Sequence, residues 1–236
     1  MNKGTLYLVP ATLGEGSAET VLPAGTLSVL RRLDHFIVEE LRTARRFLLK
    51  GGVPASRLDG IRFLVYNEHS QDDVVYECLE PALNGHDIGL LSEAGAPCVA
   101  DPGAEIVRMA HENGIRVVPL TGPSSLLLAL MASGFNGQHF AFHGYLPAEK
   151  ALREKKIKEL ERMAHEKNQT QIFIETPYRN RQLFESLVKT CSPGTQLCIA
   201  ASLTAGDEMI ATRTIAEWRE SVPDLHKKPV IFLLYR

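Results

Sequence analysis

The stretch Leu90-Leu91-Ser92-Glu93-Ala94-Gly95-Ala96-Pro97-Cys98-Val99-Ala100-Asp101-Pro102-Gly103 decides the fold. The apolar run Ile88 to Leu91 reads as a buried parallel strand. It stops at a loop of small residues with two X-Pro steps. Asp101-Pro102 predicts an N-cap followed by Pro at the first helical position, and Asn113-Gly114 predicts the stop of that helix. The pattern recurs. Val117-Val118-Pro119-Leu120 is a second apolar strand, and Thr121-Gly122-Pro123-Ser124-Ser125 opens a second helix. Small-residue loops at the carboxyl ends of such strands are where open α/β sheets bind ligands.

Outward from these loops, strand-like runs fall at Thr5–Val9, His35–Val38, Ile61–Tyr66, Ile88–Leu91 and Arg116–Leu120. Helix-like stretches lie between them at Leu41–Lys50, Gln71–Leu83 and Pro102–Asn113. Strands alternating with helices imply βαβ units and a mainly parallel sheet. The second half begins with a helix at Ser124–Ser133. Strand-like runs follow at His139–His143, Thr170–Glu175, Gln196–Ser202, Glu208–Thr214 and Pro229–Leu234, with helices at Ala148–Glu166 and Arg179–Lys189. Several of these strands lack long crossovers, so the second sheet is expected to be mixed. The fold class is therefore α/β with two α/β domains, 1–120 and 121–236.

The 236 residues are 44% hydrophobic and 23% charged, as in a soluble globular protein, which argues against global disorder. No apolar run reaches the ~20 residues of a membrane span. Met1-Asn2-Lys3-Gly4 leads straight into a strand, so no signal peptide is expected. Cys78, Cys98, Cys191 and Cys198 form no C-x-x-C pair and read as reduced thiols of a cytoplasmic protein, without structural zinc. The net charge of −2 gives no global basic field. Locally, Arg31, Arg32, Arg42, Arg45, Arg46, Lys50 and Arg57 face only Asp34, Glu39 and Glu40, a net of +4. Arg42, Arg46 and Lys50 are four apart, on one helix face that can track phosphates. The charge-dense Glu149–Lys167 reads as a solvated helix face, with an RNA-contacting role as the alternative.

Several chemistries are excluded. Gly14-x-Gly16 has Glu19 where a dinucleotide fingerprint needs its third Gly. There is no Walker A pattern, no H-E-x-x-H cluster and no G-x-S-x-G elbow. The loop Ser92–Ala96 is either a tight turn or a place where backbone groups approach a ligand closely. Glu93 is either a ligand-binding carboxylate or a solvated loop charge. Thr121–Ser125 offers N–H groups and two hydroxyls at a helix start, for capping or for ligand.

Four pieces in order, VPATLG after the first strand, LSEAGAPCVADPG, VVPLTGPSS and FHGYLP, resemble the tetrapyrrole methylase superfamily. The likeness runs from Tyr7 to about Leu234. It is strongest to the branch that methylates a cytidine ribose of small-subunit ribosomal RNA. The resemblance implies an S-adenosylmethionine-dependent methyltransferase with the cofactor in a cleft between two α/β domains, and a homodimer. By position, it assigns cofactor binding to Pro10, Ser92, Glu93, Ala94, Gly95, Ala96, Val99, Ser124, Ser125, Leu203 and Pro229. Glu39-Glu40-Leu41-Arg42 resembles an acidic-Asp-Thr-Arg motif, and Glu175-Thr176-Pro177-Tyr178-Arg179 a Glu-Ser-x-x-Arg step. Glu39, Glu40, Arg42 and Glu175 are thus the catalytic candidates, with surface salt bridging as the plain alternative.

Two departures bear on the acceptor. The ribosomal branch reads approximately Ala-Arg-Glu-Leu-Thr-Lys where this chain has Ala200-Ala201-Ser202-Leu203-Thr204-Ala205. The chain also ends at Arg236, without the C-terminal segment of many ribosomal members. Three readings follow: methylation of ribosomal RNA in a small ribosomal subunit, methylation of a tetrapyrrole or other small molecule, or a non-catalytic S-adenosylmethionine-binding module. A ribose hydroxyl acceptor would call for a base; a carbon of an electron-rich macrocycle would need little.

Overall fold

A computed structural model describes residues 2–67, 70 and 72–236. Contacts group them into two units, Met1–Ser124 and Ser125–Arg236. The first contains β1 (Thr5–Val9), α1 (Ala18–Val21), α2 (Ala24–Arg32), β2 (His35–Val38), α3 (Leu41–Lys50), α4 (Ala55–Leu58), β3 (Arg62–Val65), α5 (Asp72–Leu83), β4 (Ile88–Leu91), α6 (Ala104–Glu112) and β5 (Arg116–Pro119). Its five strands pair in parallel in the order β3-β2-β4-β1-β5. All four residues of β4 are buried, as its unbroken apolar run requires between two covered faces.

This order fixes where the helices lie. Right-handed crossovers that move toward β3 put α1 to α4 on one face, and those that return put α5 and α6 on the other. The buried side chains divide accordingly. Leu27, Leu30, Phe36, Phe47 and Leu48 form one cluster. Ile37, Leu79, Ile88, Ile106 and Ala110 form the other. The neighbours β1 and β4 therefore send their chains in opposite directions, which opens a switch point at their carboxyl ends.

The second unit contains α7 (Ser125–Ser133), β6 (Phe140–Tyr145), α8 (Lys150–Lys167), β7 (Thr170–Ile174), α9 (Asn180–Thr190), β8 (Gln196–Ala201), β9 (Met209–Thr214), α10 (Ile215–Glu220) and β10 (Val230–Tyr235). Its sheet is mixed, in the order β6-β7-β10-β8-β9, with only β6 and β7 parallel. The central β10 is buried over five of its six residues. Phe173 stacks on Phe232 across the sheet, and Phe184 meets Trp218 edge to face. The Trp218 indole donates to the Leu197 carbonyl at 2.8 Å, so its buried N–H is satisfied.

Sequence and structure differ at several places. Asp101 is not an N-cap. α6 starts at Ala104 after Gly103, whose φ of +123° no other residue adopts readily. The stop is where Asn113-Gly114 places it. The helices α1, α2, α4 and α10 are additional to the expected set. The helix expected over Gln71–Leu83 is seen as Asp72–Leu83, and Gln71 lies outside the described residues. α8 is not a wholly solvated face, because Arg153, Ile157, Leu160 and Ala164 form a buried stripe along it.

Candidate active site

Three loops meet at the carboxyl end of the first sheet. They follow β4, β1 and β5, which are neighbours in that order. Ala11 donates to the Gly95 carbonyl at 2.9 Å, and Gly95 donates back to the Ala11 carbonyl at 3.2 Å. Ser92 donates to the Val9 carbonyl at 3.3 Å. The β1 and β4 loops are thus zipped together beyond the sheet. Gly95 has φ +76°, and a Cβ there would lie 2.9 Å from Leu13 Cδ2. The third loop packs just as closely. A Cβ on Gly122 would lie 2.3 Å from Cγ of Pro10. Gly122 is required by the close approach of the Pro10 ring, and Gly95 by its positive φ.

Among the residues assigned to the cofactor, Pro10, Ser92, Glu93, Ala94, Gly95, Ala96 and Val99 lie on these loops. Ser92 and Gly95 are buried, Ala94 and Val99 exposed, and the Ser92 hydroxyl donates to the Ala94 carbonyl at 3.2 Å. Ser124 follows the β5 loop in the first unit, and Ser125 begins α7 in the second. The loop Cys98–Ala100 holds positive φ at both of those residues. Burial pushes the Cys98 thiol up to about 11, so it is not a thiolate nucleophile at neutral pH.

Beside these loops, α3 borders a cavity of about 420 Å³ whose walls include Leu13, Thr43, Arg46, Lys50 and Glu93. Glu40 is the N-cap of α3. It accepts from the N–H of Arg42 at 2.9 Å, and from the N–H and hydroxyl of Thr43 at 2.6 Å each. The Thr43 hydroxyl first, then the two backbone donors, hold the Glu40 carboxyl below the usual carboxylate range. A carboxylate so occupied is a weak proton acceptor, so capping accounts for Glu40. Glu93 behaves oppositely. It keeps solvent contact, yet desolvation by the surrounding loops raises its carboxyl, opposed in part by the Glu40 N–H. The charges of Glu40 and Asp101 push it further up. Glu39 is half-buried at the end of β2.

The basic excess of this region resolves into two groups. Arg31, Arg32, Arg45 and Arg57 pair with Glu19, Asp87, Asp59 and Asp34. Arg42, Arg46 and Lys50 make no ion pair among the described residues. Arg42 and Arg46 are exposed; Lys50 donates to the Gly14 carbonyl at 3.2 Å, tying α3 to the β1 loop. Sequence reasoning found this row but not the cavity that Arg46 and Lys50 share with Glu93.

In the second unit, Glu175, Leu203 and Pro229 gather at one end of the sheet. Ser202, next to Leu203, donates to the Pro229 carbonyl at 2.9 Å. Glu175 directly follows β7, whose Ile174 pairs with Ile231. Its side chain is 1% exposed and bonded to Arg179 at 2.6 and 3.0 Å, so only the Arg179 end of the pair reaches the surface. Leu203 is buried between Ser202 and Thr204, both with positive φ. Asp207 and Lys228 form an ion pair at 3.1 Å beside this turn. The four cysteines are free thiols, and no metal-ligand cluster exists among the described residues. No helix among them is long and apolar enough to cross a membrane.

The architecture is that of known methyltransferases. The methyltransferase CobJ superposes with a TM-score of 0.67 at 17% identity, over 99% of this chain and 94% of its own. The cobalt precorrin-4 methyltransferase CbiF gives 0.63 at 13% identity, over 98% and 94%. These likenesses show the fold, two α/β units with a parallel and a mixed sheet. The model of the tetrapyrrole (corrin/porphyrin) methylases matches residues 6–218, and the chain belongs to that family. Its curated relatives include proteins named ribosomal RNA small subunit methyltransferase I. The one from Bacillus subtilis is 32% identical over 91% of this chain and 68% of its own length. That from Escherichia coli O157:H7 is 31% identical over 92% and 71%. That from Vibrio cholerae is 29% identical over 90% and 69%.

Proposed function

We propose that this chain transfers a methyl group from S-adenosylmethionine to the ribose 2′-oxygen of a cytidine in small-subunit ribosomal RNA. The observation that carries the reading is the likeness, over nine-tenths of the chain, to relatives named for that ribosomal RNA. The working form is a cytoplasmic homodimer, by analogy with the family.

The residues at the three loops fit the donor. Gly95 and Gly122 leave no Cβ in the way where loop backbones close on one another, and Ala94 and Ala96 leave peptide groups accessible beside them. S-adenosylmethionine supplies an activated methyl group on a sulfonium. The protein then needs chiefly to position the acceptor, which can lower the barrier by several kcal/mol. In this reading Ser92, Ala94, Gly95, Ala96, Val99, Pro10 and Ser124 hold the donor side. Ser125, Leu203 and Pro229 are assigned to it by family position. Arg42, Arg46 and Lys50 receive the RNA backbone along α3. Glu93, with its raised carboxyl, replaces Glu40 as the proton acceptor for the ribose hydroxyl. Glu175, buried and paired with the half-exposed Arg179, supports the loop end in the second unit.

A second reading, methylation of a porphyrin-like ring, draws on one observation. Ala205 stands where the ribosomal branch carries a basic residue, and Ala201 and Ser202 replace its Arg and Glu. Incubation with labelled S-adenosylmethionine and either small ribosomal subunits or a pool of small metabolites separates the two. Label in the subunit RNA supports the proposal. Label in the metabolites alone transfers the chain to the second reading, and label in neither leaves a binding module.

A further inference from the structure

The second unit carries a buried cation that the methyl transfer does not use. Arg153, in the first turn of α8, is 5% exposed. Its Nε donates to the Ser186 hydroxyl at 3.0 Å and its Nη1 to the Ala148 carbonyl at 2.7 Å. A guanidinium has five N–H donors. The other three find no acceptor, and no carboxylate pairs with this side chain, among the described residues. None of its nitrogens is both buried and without a partner, so the open end of the guanidinium reaches solvent in the cavity it lines, as a cation that keeps its proton.

Three further features place positive potential at the same spot. Arg153 lines a cavity of about 460 Å³ between α8 and α9, together with Lys150, Glu154, Gln182, Glu185 and Lys189. The cavity reaches the start of α8, an 18-residue helix whose N-cap, Glu149, makes no side-chain capping bond. The first turn holds no acidic residue, although a helix dipole favours anions there; Lys150 and Arg153 oppose it instead. The rim carboxylates are already engaged. Glu154 pairs with Lys189 at 3.2 Å, and Glu185 with Arg181 at 3.0 Å. Lys150 and the guanidinium make no ion pair among the described residues, even with Glu149 at the N-cap and Glu154 and Glu185 on the cavity wall, and an anion would supply their partner.

We propose that this cavity is an oxyanion site of phosphate class, built from the start of α8, Lys150 and Arg153. The open guanidinium donors present a fork suited to two oxygens of one anion, and the uncapped N–H groups of the first turn suit a third. The anion is either free phosphate or a phosphodiester of an RNA chain; both present the same oxygens. The site is independent of which acceptor the methyl group reaches.

The test is a titration of the full-length protein with inorganic phosphate, read at the Arg153 Nε–H and the Lys150 and Ala151 amides by nitrogen–proton NMR, against chloride at equal ionic strength. Saturable shifts with phosphate and none with chloride are expected. Lys150→Gln, an exposed position that leaves the core untouched, should weaken binding about threefold to tenfold. Arg153→Met should abolish the response of the first-turn amides. A single-stranded oligoribonucleotide forms the second arm. Competition with phosphate assigns the site to an RNA backbone, and phosphate binding without competition assigns it to a small oxyanion. Equal responses to phosphate and chloride, or Lys150→Gln binding as tightly as wild type, would overturn the proposal even if Arg153→Met failed to fold.

Discussion

Gly122→Ala tests how the three loops at the end of the first sheet are assembled. The added Cβ would lie 2.3 Å from Cγ and 2.5 Å from Cβ of Pro10, and 3.1 Å from Leu22 Cδ2. Optimal carbon contacts fall near 3.5–4.0 Å, so the β5 loop must retreat by roughly 1 Å from the β1 loop. Pro10 cannot rotate aside, because its ring is part of the backbone. Overpacking of this kind costs about 1–3 kcal/mol. The entropy that Ala removes from the unfolded chain returns at most about 1 kcal/mol. The net expectation is a loss of about 1–2 kcal/mol in urea unfolding, with weakened S-adenosylmethionine binding by calorimetry. Gly25→Ala is the control. It lies in α2 with nothing within 4 Å of its new Cβ, and should gain about 0.5–1 kcal/mol. Gly122→Ala with unchanged stability and unchanged donor affinity would refute the packing of these loops.

Four other outcomes are expected. Gly95→Leu should abolish donor binding in calorimetry, and its strained φ together with the Leu13 contact should also cost about 1–3 kcal/mol in urea unfolding; normal binding would mean the donor lies elsewhere. Glu40→Ala should destabilise the start of α3, seen as faster amide exchange at Arg42 and Thr43, while Glu40→Gln keeps most methyl transfer; because the Glu40 carboxyl is depressed, its contribution is present above its unfolded pKa and fades as pH falls through the folded one. Glu93→Gln should lower the transfer rate by about 10²–10⁴-fold in single-turnover assays. The raised Glu93 pKa means that the stability of its protonated form is lost as pH rises through the folded value, so this variant should be more stable than wild type at neutral pH while wild-type transfer climbs over that same rise. Arg179→Leu strands the 1%-exposed Glu175 carboxylate and should cost about 2–4 kcal/mol by thermal unfolding, whereas the double change with Glu175→Leu should recover much of it.

The sheets were legible because their strands are apolar runs bounded by loops. β1, β2 and β4 begin and end where the runs do. The missed helices have weak signals. α1 and α4 are four residues each, and α2 starts after Pro23 with no side-chain cap and carries Gly25. α10 was readable in principle, since Thr214 and Glu217 form a reciprocal capping box. Asp101-Pro102 misled because local capping preference lost to a tighter loop through Cys98, Ala100 and Gly103, all at positive φ. The small-residue loops were readable as loops at strand ends, but their mutual contacts are tertiary. Gly122 against Pro10 spans 112 positions of sequence, and the cavity joining Glu93 to Arg46 depends on the β2 and β4 pairing. The buried Arg153 was hidden in a charge-dense stretch, where only the period Arg153, Ile157, Leu160, Ala164 marks the inward face.

The most direct measurement digests small-subunit RNA to nucleosides after incubation with the protein and methyl-labelled S-adenosylmethionine. The account predicts that the label elutes as 2′-O-methylcytidine and disappears with Glu93→Gln. Label on a base, or in no nucleoside at any stage of subunit assembly, would contradict it.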